Sequence, residues 1–140
     1  LGLEMPLSPT LTMYRDIDEI DGTYMAFSVS HSIDSIFELS PDMPVGVTAS
    51  ASIGWGSASY NKGYWANADD ETKSVTSSSM QDLTVSVGFP VVVLGWTVTP
   101  SVSYVTLLDS GVREADTYRT SSVNNDSDYF FTGLSLSRSF

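Results

Sequence analysis

A single histidine, His31, stands between Ser30 and Ser32. Histidine next to serine is the raw material of acyl transfer, in which an imidazole takes the hydroxyl proton, but the two groups must lie within hydrogen-bond reach. Hydropathy alternates through this stretch, so a strand would place His31 on an apolar face and both serines on the other. We read His31 as structural or interfacial and the chain as a non-enzyme, with a lipid hydrolase using His31 as the weaker alternative. The acidic turn holding Asp16, Asp18, Glu19 and Asp21 offers hard carboxylate oxygens to a divalent cation such as calcium, although the spacing is not that of a twelve-residue calcium loop. A solvated acidic turn is the other reading, and Asp69, Asp70 and Glu71 carry the same two. No other cofactor is expected. Tyr60, Tyr64 and Trp65, near Asn61, Lys62 and Asn67, have the ring faces and polar groups of a sugar-stacking surface. Anchoring at an interface, or packing of the loop on itself, is the alternative. A Gly-rich phosphate loop, an HExxH pair and a G-x-S-x-G elbow are all missing from the sequence.

The elements that carry these residues are set by the stretch Leu94 to Leu108. Every second residue is apolar or bulky, through Leu94, Trp96, Val98, Pro100, Val102 and Tyr104, and the interleaved set is Gly95, Thr97, Thr99, Ser101 and Ser103. Side chains of a strand point alternately to opposite faces, so this is a strand with one greasy face and one face of small uncharged groups. A strand whose polar face met bulk water would normally carry Lys, Glu, Arg or Asp there. A Ser/Thr/Gly face suits a barrel interior, with the apolar face turned to lipid. The same pattern recurs at residues 44–56, where Val45, Val47, Ala49, Ala51, Ile53 and Trp55 alternate with Gly46, Thr48, Ser50, Ser52, Gly54 and Gly56, and at 81–89, where Leu83, Val85 and Val87 alternate with Asp82, Thr84 and Ser86. Ser50, Ser52, Ser86, Thr97, Thr99, Ser101 and Ser103 are the expected interior-facing set.

Composition narrows the classes. The 140 residues amount to at most one domain. Mean hydropathy is +0.02, a value that alternating strands produce by averaging. No apolar run approaches the length of a membrane-spanning helix. With no cysteine, disulfides and thiolate chemistry are excluded. Seventeen acids against six bases, a formal charge of −11, exclude a phosphate-binding footprint and hence nucleic acid as a partner.

Taken in order, the pattern predicts about six strands: 3–14, from 23 to about 33, 44–56, 81–89, 94–108, and a last one running to the terminus. Pro6 and Pro9 remove ladder donors, so the first strand should be irregular or lie near an edge. The connections run medium (15–22), short (35–43), long (57–79), short (90–93) and long (109–127). Short turns on one side and long loops on the other is the habit of outer-membrane barrels. Trp55 and Phe130 then fall at outer ends and Phe89, Trp96 and Phe140 at inner ends, as two aromatic girdles would.

The terminal stretch Tyr129-Phe-Phe-Thr-Gly-Leu-Ser-Leu-Ser-Arg-Ser-Phe140 resembles the closing strand of bacterial outer-membrane β-barrel proteins, through Gly133, Leu134, Leu136 and the final Phe140. Arg138 departs from that pattern, and at a rim it can reach the headgroups. The resemblance implies an all-β, antiparallel, up-and-down transmembrane β-barrel in a bacterial outer membrane. It further implies the bilayer, lipopolysaccharide and the barrel-assembly machinery as partners. About six strands are fewer than the eight of the smallest single-chain barrels. The expectation is therefore that residues 1–140 are either one barrel domain with a hairpin hidden near Asn61-Lys62-Gly63, or the C-terminal half of a larger barrel, or a subunit whose wall other chains complete. The second is favoured because Leu1 opens abruptly. The expected function is a passive pore or structural scaffold with acidic outer loops. A soluble, secreted β-sandwich binding carbohydrate is the alternative from another class.

Overall fold

The computed structural model describes residues 7–66, 74–119 and 127–138. They form an all-β fold, a single antiparallel sheet of seven strands: β1 (Ser8–Arg15), β2 (Thr23–Ser40), β3 (Met43–Gly56), β4 (Ser79–Gly88), β5 (Val91–Val93), β6 (Trp96–Leu107) and β7 (Asp128–Ser137). Two helices, α1 (Ala58–Tyr64) and α2 (Ser110–Arg119), lie in the two longest connections. The long strands neighbour one another in the order β1-β2-β3-β4-β6-β7, and short β5 fits beyond the end of β4, paired with both β3 and β6. Among the described residues β1 and β7 each have a single strand neighbour, so the sheet has two open edges.

Register carries the two-residue alternation across the whole sheet. Leu11 lies opposite Phe27, Phe27 opposite Ile53, Ile53 opposite Leu83, and the next row continues Val29, Ala51, Val85, Tyr104, Phe130. One residue along, Ser30, Ser50, Ser86 and Ser103 form a row on the other face. Directly opposite residues share a face, so one side of the sheet is apolar and the other lined with hydroxyls. Exposure is inverted relative to a soluble sheet: Leu11, Val85 and Leu134 are 68%, 41% and 74% exposed, whereas Ser103 is 8% exposed.

The dry core is small and sits at one end of the hydroxyl side. Val75, Leu107, Val112 and Ala115 are buried together there, with Trp65 packed against them. The connection 16–22 joins this end, because Gly22 lies so close to the Tyr60 backbone, and Gly63 to Ile20, that neither glycine has room for a Cβ. The medium and long connections thus gather at one end and the short turns at the other.

Several expectations need correction. The described residues form seven strands, because Val91-Val92-Val93 forms β5 where a turn was expected. An unbroken apolar triplet has no alternation to reveal a strand. The 35–43 loop shrinks to a turn at 41–42, since β2 runs on to Ser40. Register shifts between Ile33 and Phe37 break the two-residue rhythm there and hid the continuation. Asn61-Lys62-Gly63 lies inside α1 and not in a hairpin. Both helices start at side chains that accept backbone N–H bonds: Ser57 Oγ from Tyr60 N at 3.3 Å, and Asp109 Oδ1 from Gly111 N at 2.9 Å and Val112 N at 3.1 Å. Pro9 is accommodated as anticipated, on the edge strand β1. Residues 3–6 of the expected first strand lie outside the described residues.

The β5–β6 turn is made by Leu94 and Gly95, both left-handed, at φ 51° and 77°. Two residues of positive φ match the right-handed twist of a hairpin, but leucine pays a steric penalty there. Leu94 is 93% exposed and makes no packing that would compensate. Leu94→Asn is expected to raise stability by about 1 kcal/mol, read as a higher urea midpoint with an unchanged slope.

Candidate functional site

The candidate site is the hydroxyl face with the capped end that overhangs it. The seven residues expected to face an interior, Ser50, Ser52, Ser86, Thr97, Thr99, Ser101 and Ser103, do share one side of the sheet. Ser50 pairs with Ser86, Ser86 with Ser103, Ser52 with Thr84, Thr99 with Ser135, Thr97 with Ser137, and Ser101 lies between Gly88 and Gly133. Ser86 and Ser103 share a hydrogen bond of 2.8 Å between their hydroxyls, so part of this face is satisfied internally. Gly88 and Gly133 remove bulk in the same row.

Asp82 is set among these hydroxyls and was missing from the expected set. Its Oδ1 accepts from the Tyr24 hydroxyl at 3.0 Å and its Oδ2 from Thr84 Oγ1 at 3.4 Å. Gly54, directly beneath, has no Cβ because that position is filled by the Asp82 carboxylate and the Tyr24 hydroxyl. The signal was present in the sequence, since Asp82 occupies a polar-face position of its strand. A lone carboxylate in a Ser/Thr row carries no pattern of its own, however, and only the register puts Tyr24 next to it.

The aromatic group divides. Tyr60 and Tyr64 come together at 4.4 Å between ring centroids, and Tyr24 and Tyr14 extend the line at 5.4 and 6.4 Å. Trp65 turns away into the small core. Asn61 also turns inward: it is fully buried, donates from Nδ2 to Ser77 O at 2.7 Å and Ser79 Oγ at 3.1 Å, and accepts from Gln81 Nε2 at 2.9 Å. The sugar-stacking set is thus reduced to Tyr60 and Tyr64, with Lys62 exposed between them in sequence and Asn67 outside the described residues. Burial raises the Tyr60 phenol above its ordinary value, and the neighbouring Tyr64 and Asp82 add to the shift, so it stays neutral and able to donate well into alkaline solution.

The acidic turn does not assemble a cation cage. Asp21 is paired with Arg15 at 2.6 Å, and Asp16 Oδ1 accepts the Asp18 N–H at 3.0 Å. Among the described residues no three acidic or histidine side chains converge, so Asp16, Asp18, Glu19 and Asp21 form a charged, mostly exposed turn. Asp69, Asp70 and Glu71 fall outside the described residues. His31 sits on the apolar face in a shallow hollow with Leu7, Val29, Ala49 and Val85. Its row partner is Ala49, whereas Ser30 and Ser32 face Ser50 and Thr48 on the opposite side. Register therefore puts both sequence-adjacent serines on the face opposite the imidazole.

At the other end of the sheet, the Arg138 guanidinium lies over the Trp96 ring at 5.3 Å from its centroid. A cation stacked on an aromatic ring explains how arginine is held at a position where the resembling pattern has an apolar residue. Phe140 is outside the described residues. Comparison with known proteins finds no match: no family model, no curated sequence and no solved structure aligns with the chain.

Proposed function

We propose that this chain is a length of the wall of a bacterial outer-membrane β-barrel, with lipid against its apolar face and a passive, water-filled interior along its hydroxyl face. The observation that carries the reading is the inverted exposure. Large apolar side chains are uncovered from Leu11 on β1 to Leu136 on β7, whereas the described residues bury only Val45, Val75, Leu107, Val112 and Ala115 as core. A domain of about this length in water hides roughly two-thirds of its surface, chiefly by covering such a face. Contiguous apolar patches much above a few hundred Å² mark membrane or partner surfaces. A secreted sandwich binding carbohydrate would need a second sheet over Leu11, Phe27 and Val85, yet both helices pack on the hydroxyl side.

The interior would pass small hydrophilic solutes without a reaction. Asp82 and the excess of acids favour cations over anions there, since a carboxylate in a narrow aqueous path attracts counter-ions. The bilayer and lipopolysaccharide are the proposed surroundings, the barrel-assembly machinery the proposed insertion partner, and the clustered acidic connections the outer surface.

The test has two stages. The purified chain is expected to require detergent and to insert into vesicles, and full solubility in plain buffer would sink the membrane reading. In planar bilayers it is expected to conduct with a reversal potential on the cation side under a salt gradient, and Asp82→Asn should move that potential towards zero. Insertion with no conductance at all would leave a scaffold in place of the pore.

A further inference from the structure

The alternation of β4 breaks at one place near the capped end. From Ile53 to Trp55 β3 advances two residues, while their partners on β4, Leu83 and Met80, are three apart. Gln81 and Asp82 therefore both stand opposite Gly54, in a β-bulge. Strict period two would send one of them to the apolar face. Instead the Asp82 carboxylate occupies the space over Gly54 and the Gln81 amide reaches the space over Gly56, so both side chains lie on the hydroxyl side.

Tyrosine rings lead away from that carboxylate. Asp82 Oδ1 accepts from the Tyr24 hydroxyl at 3.0 Å, the Tyr24 ring is followed by Tyr60 at 5.4 Å and Tyr64 at 4.4 Å, and Tyr14 branches from Tyr24 at 6.4 Å. Tyr60 and Tyr64 are one helical turn apart on α1, which brings their rings together. Tyr14 and Tyr64 are 63% and 40% exposed, and Tyr24, Tyr60 and Asp82 are half-buried, so ring surface is open to solvent at both ends of the row. Among the described residues, the electrostatic neighbours of the Tyr24 and Tyr60 phenols are Asp82 and other tyrosines, with no Lys or Arg.

We propose that this row is a binding site for a small organic cation bearing a quaternary ammonium group. Its role as an entry site rests on the cation-favouring passage proposed above, whereas the binding itself does not. Both features attract the same ligand, because the face of a tyrosine ring is the negative part of its quadrupole and the carboxylate adds a full charge. Each Asp82 oxygen already accepts a hydroxyl, one from Tyr24 and the other from Thr84 at 3.4 Å. The site thus offers charge and ring surface without calling for a hydrogen-bond donor, which suits an alkylated nitrogen better than a primary ammonium. A neutral sugar stacks on the rings but leaves the charge unused. A hard inorganic cation wants several oxygen ligands, and among the described residues no cluster of three acidic or histidine side chains supplies them.

Tetramethylammonium is the probe, titrated into the refolded protein in detergent at constant ionic strength and followed by saturation-transfer NMR of its methyl protons. Saturable binding is expected, and Asp82→Asn should weaken it roughly tenfold. Tyr64→Leu, which keeps bulk and removes the ring, should weaken it about threefold, while Tyr64→Phe should leave it unchanged. Tyr14→Leu repeats the comparison at the other exposed end of the row, and unaltered gel mobility checks that each variant folds. No saturable binding, or equal affinity in every variant, overturns the site. Equal competition by potassium also overturns it, since the acidic rim would then attract any cation. Binding of maltose in place of the probe would make the row a sugar-stacking surface instead. In planar bilayers the probe should reduce the potassium current of the unmodified protein and not that of Asp82→Asn. Binding without any conductance would remove the passage and keep the site, and conductance without binding would do the reverse.

Discussion

In the proposed barrel wall, Val85→Arg is expected to destabilise the fold by ~2–4 kcal/mol, the cost of holding a guanidinium against lipid near the bilayer midplane. Val85 lies in the middle of β4 on the apolar face, between Ala51 and Tyr104, and is 41% exposed among the described residues. Ser52→Arg, one row away on the opposite face between Ser28 and Thr84, should cost less than ~1 kcal/mol, because an interior substitution keeps the charge hydrated. Met13→Arg, on the apolar face near the Arg15 end of β1, should likewise cost only ~0–1 kcal/mol, since in the proposed bilayer setting the penalty shrinks towards the membrane surface. Urea titrations of refolding into vesicles measure all three. The gradient from Met13 to Val85 separates lipid from a dry protein interior, which has no reason to grade the penalty by distance from a bilayer surface. Equal costs at Val85 and Ser52 would refute the assignment of faces.

Asn61→Ala should carry the second largest penalty, ~2–3 kcal/mol, confined to the capped end. Its side chain is the buried hub that ties α1 to the start of β4 through Ser77, Ser79 and Gln81. Truncation leaves the Ser77 carbonyl and the Gln81 amide without that partner in a site closed to bulk solvent, at ~1–3 kcal/mol for each such group. Gly56 fits beneath this hub because a Cβ there would collide with the Asn61 side-chain oxygen Oδ1. A helix as short as α1 has no stability in isolation, so it should undock as a unit. Trypsin cutting after Lys62, on the exposed side of α1, should become at least tenfold faster while the strands keep their folded mobility on a gel. Unchanged cleavage would show that Ser57, by capping α1 and accepting the Thr23 N–H at 2.9 Å, holds the helix without Asn61.

The two experiments address separate halves of the molecule. The Val85 series tests what surrounds the sheet and the Asn61 series what closes one end of it, and the effects should add because the sites share no partner. Acidic side chains at the capped end would then be a property of the outer mouth, and Asp82 a property of the passage below it.

How far the sequence could be read depended on whether the relevant physics was local. Which side chains share a face follows from the backbone of each strand alone, so the hydroxyl set from Ser50 to Ser103 and the apolar set from Val47 to Val102 were legible without any partner. The alternation of short and long connections was legible for the same reason, since turn residues act within a few positions. Interruptions were not. The bulge in β2 between Ile33 and Phe37 and the apolar triplet of β5 take their conformation from the strands beside them. The two helices did leave local signs, at Ser57 and Asp109, but these are short caps in polar stretches and are easily read as turns.

The pattern of residues therefore determined, by itself, a sheet with one face for oil and one for hydroxyls, because period-two alternation needs nothing beyond the chain's own geometry. Only the tertiary structure decided that Asn61 and Trp65 point inward while Tyr60 and Tyr64 join Tyr24, and that Asp82 lies under a tyrosine. It also decided that β1 and β7 are the strands left at the edges. These outcomes depend on contacts between segments far apart in sequence, whose formation is set by register and packing and leaves no periodic trace along the chain.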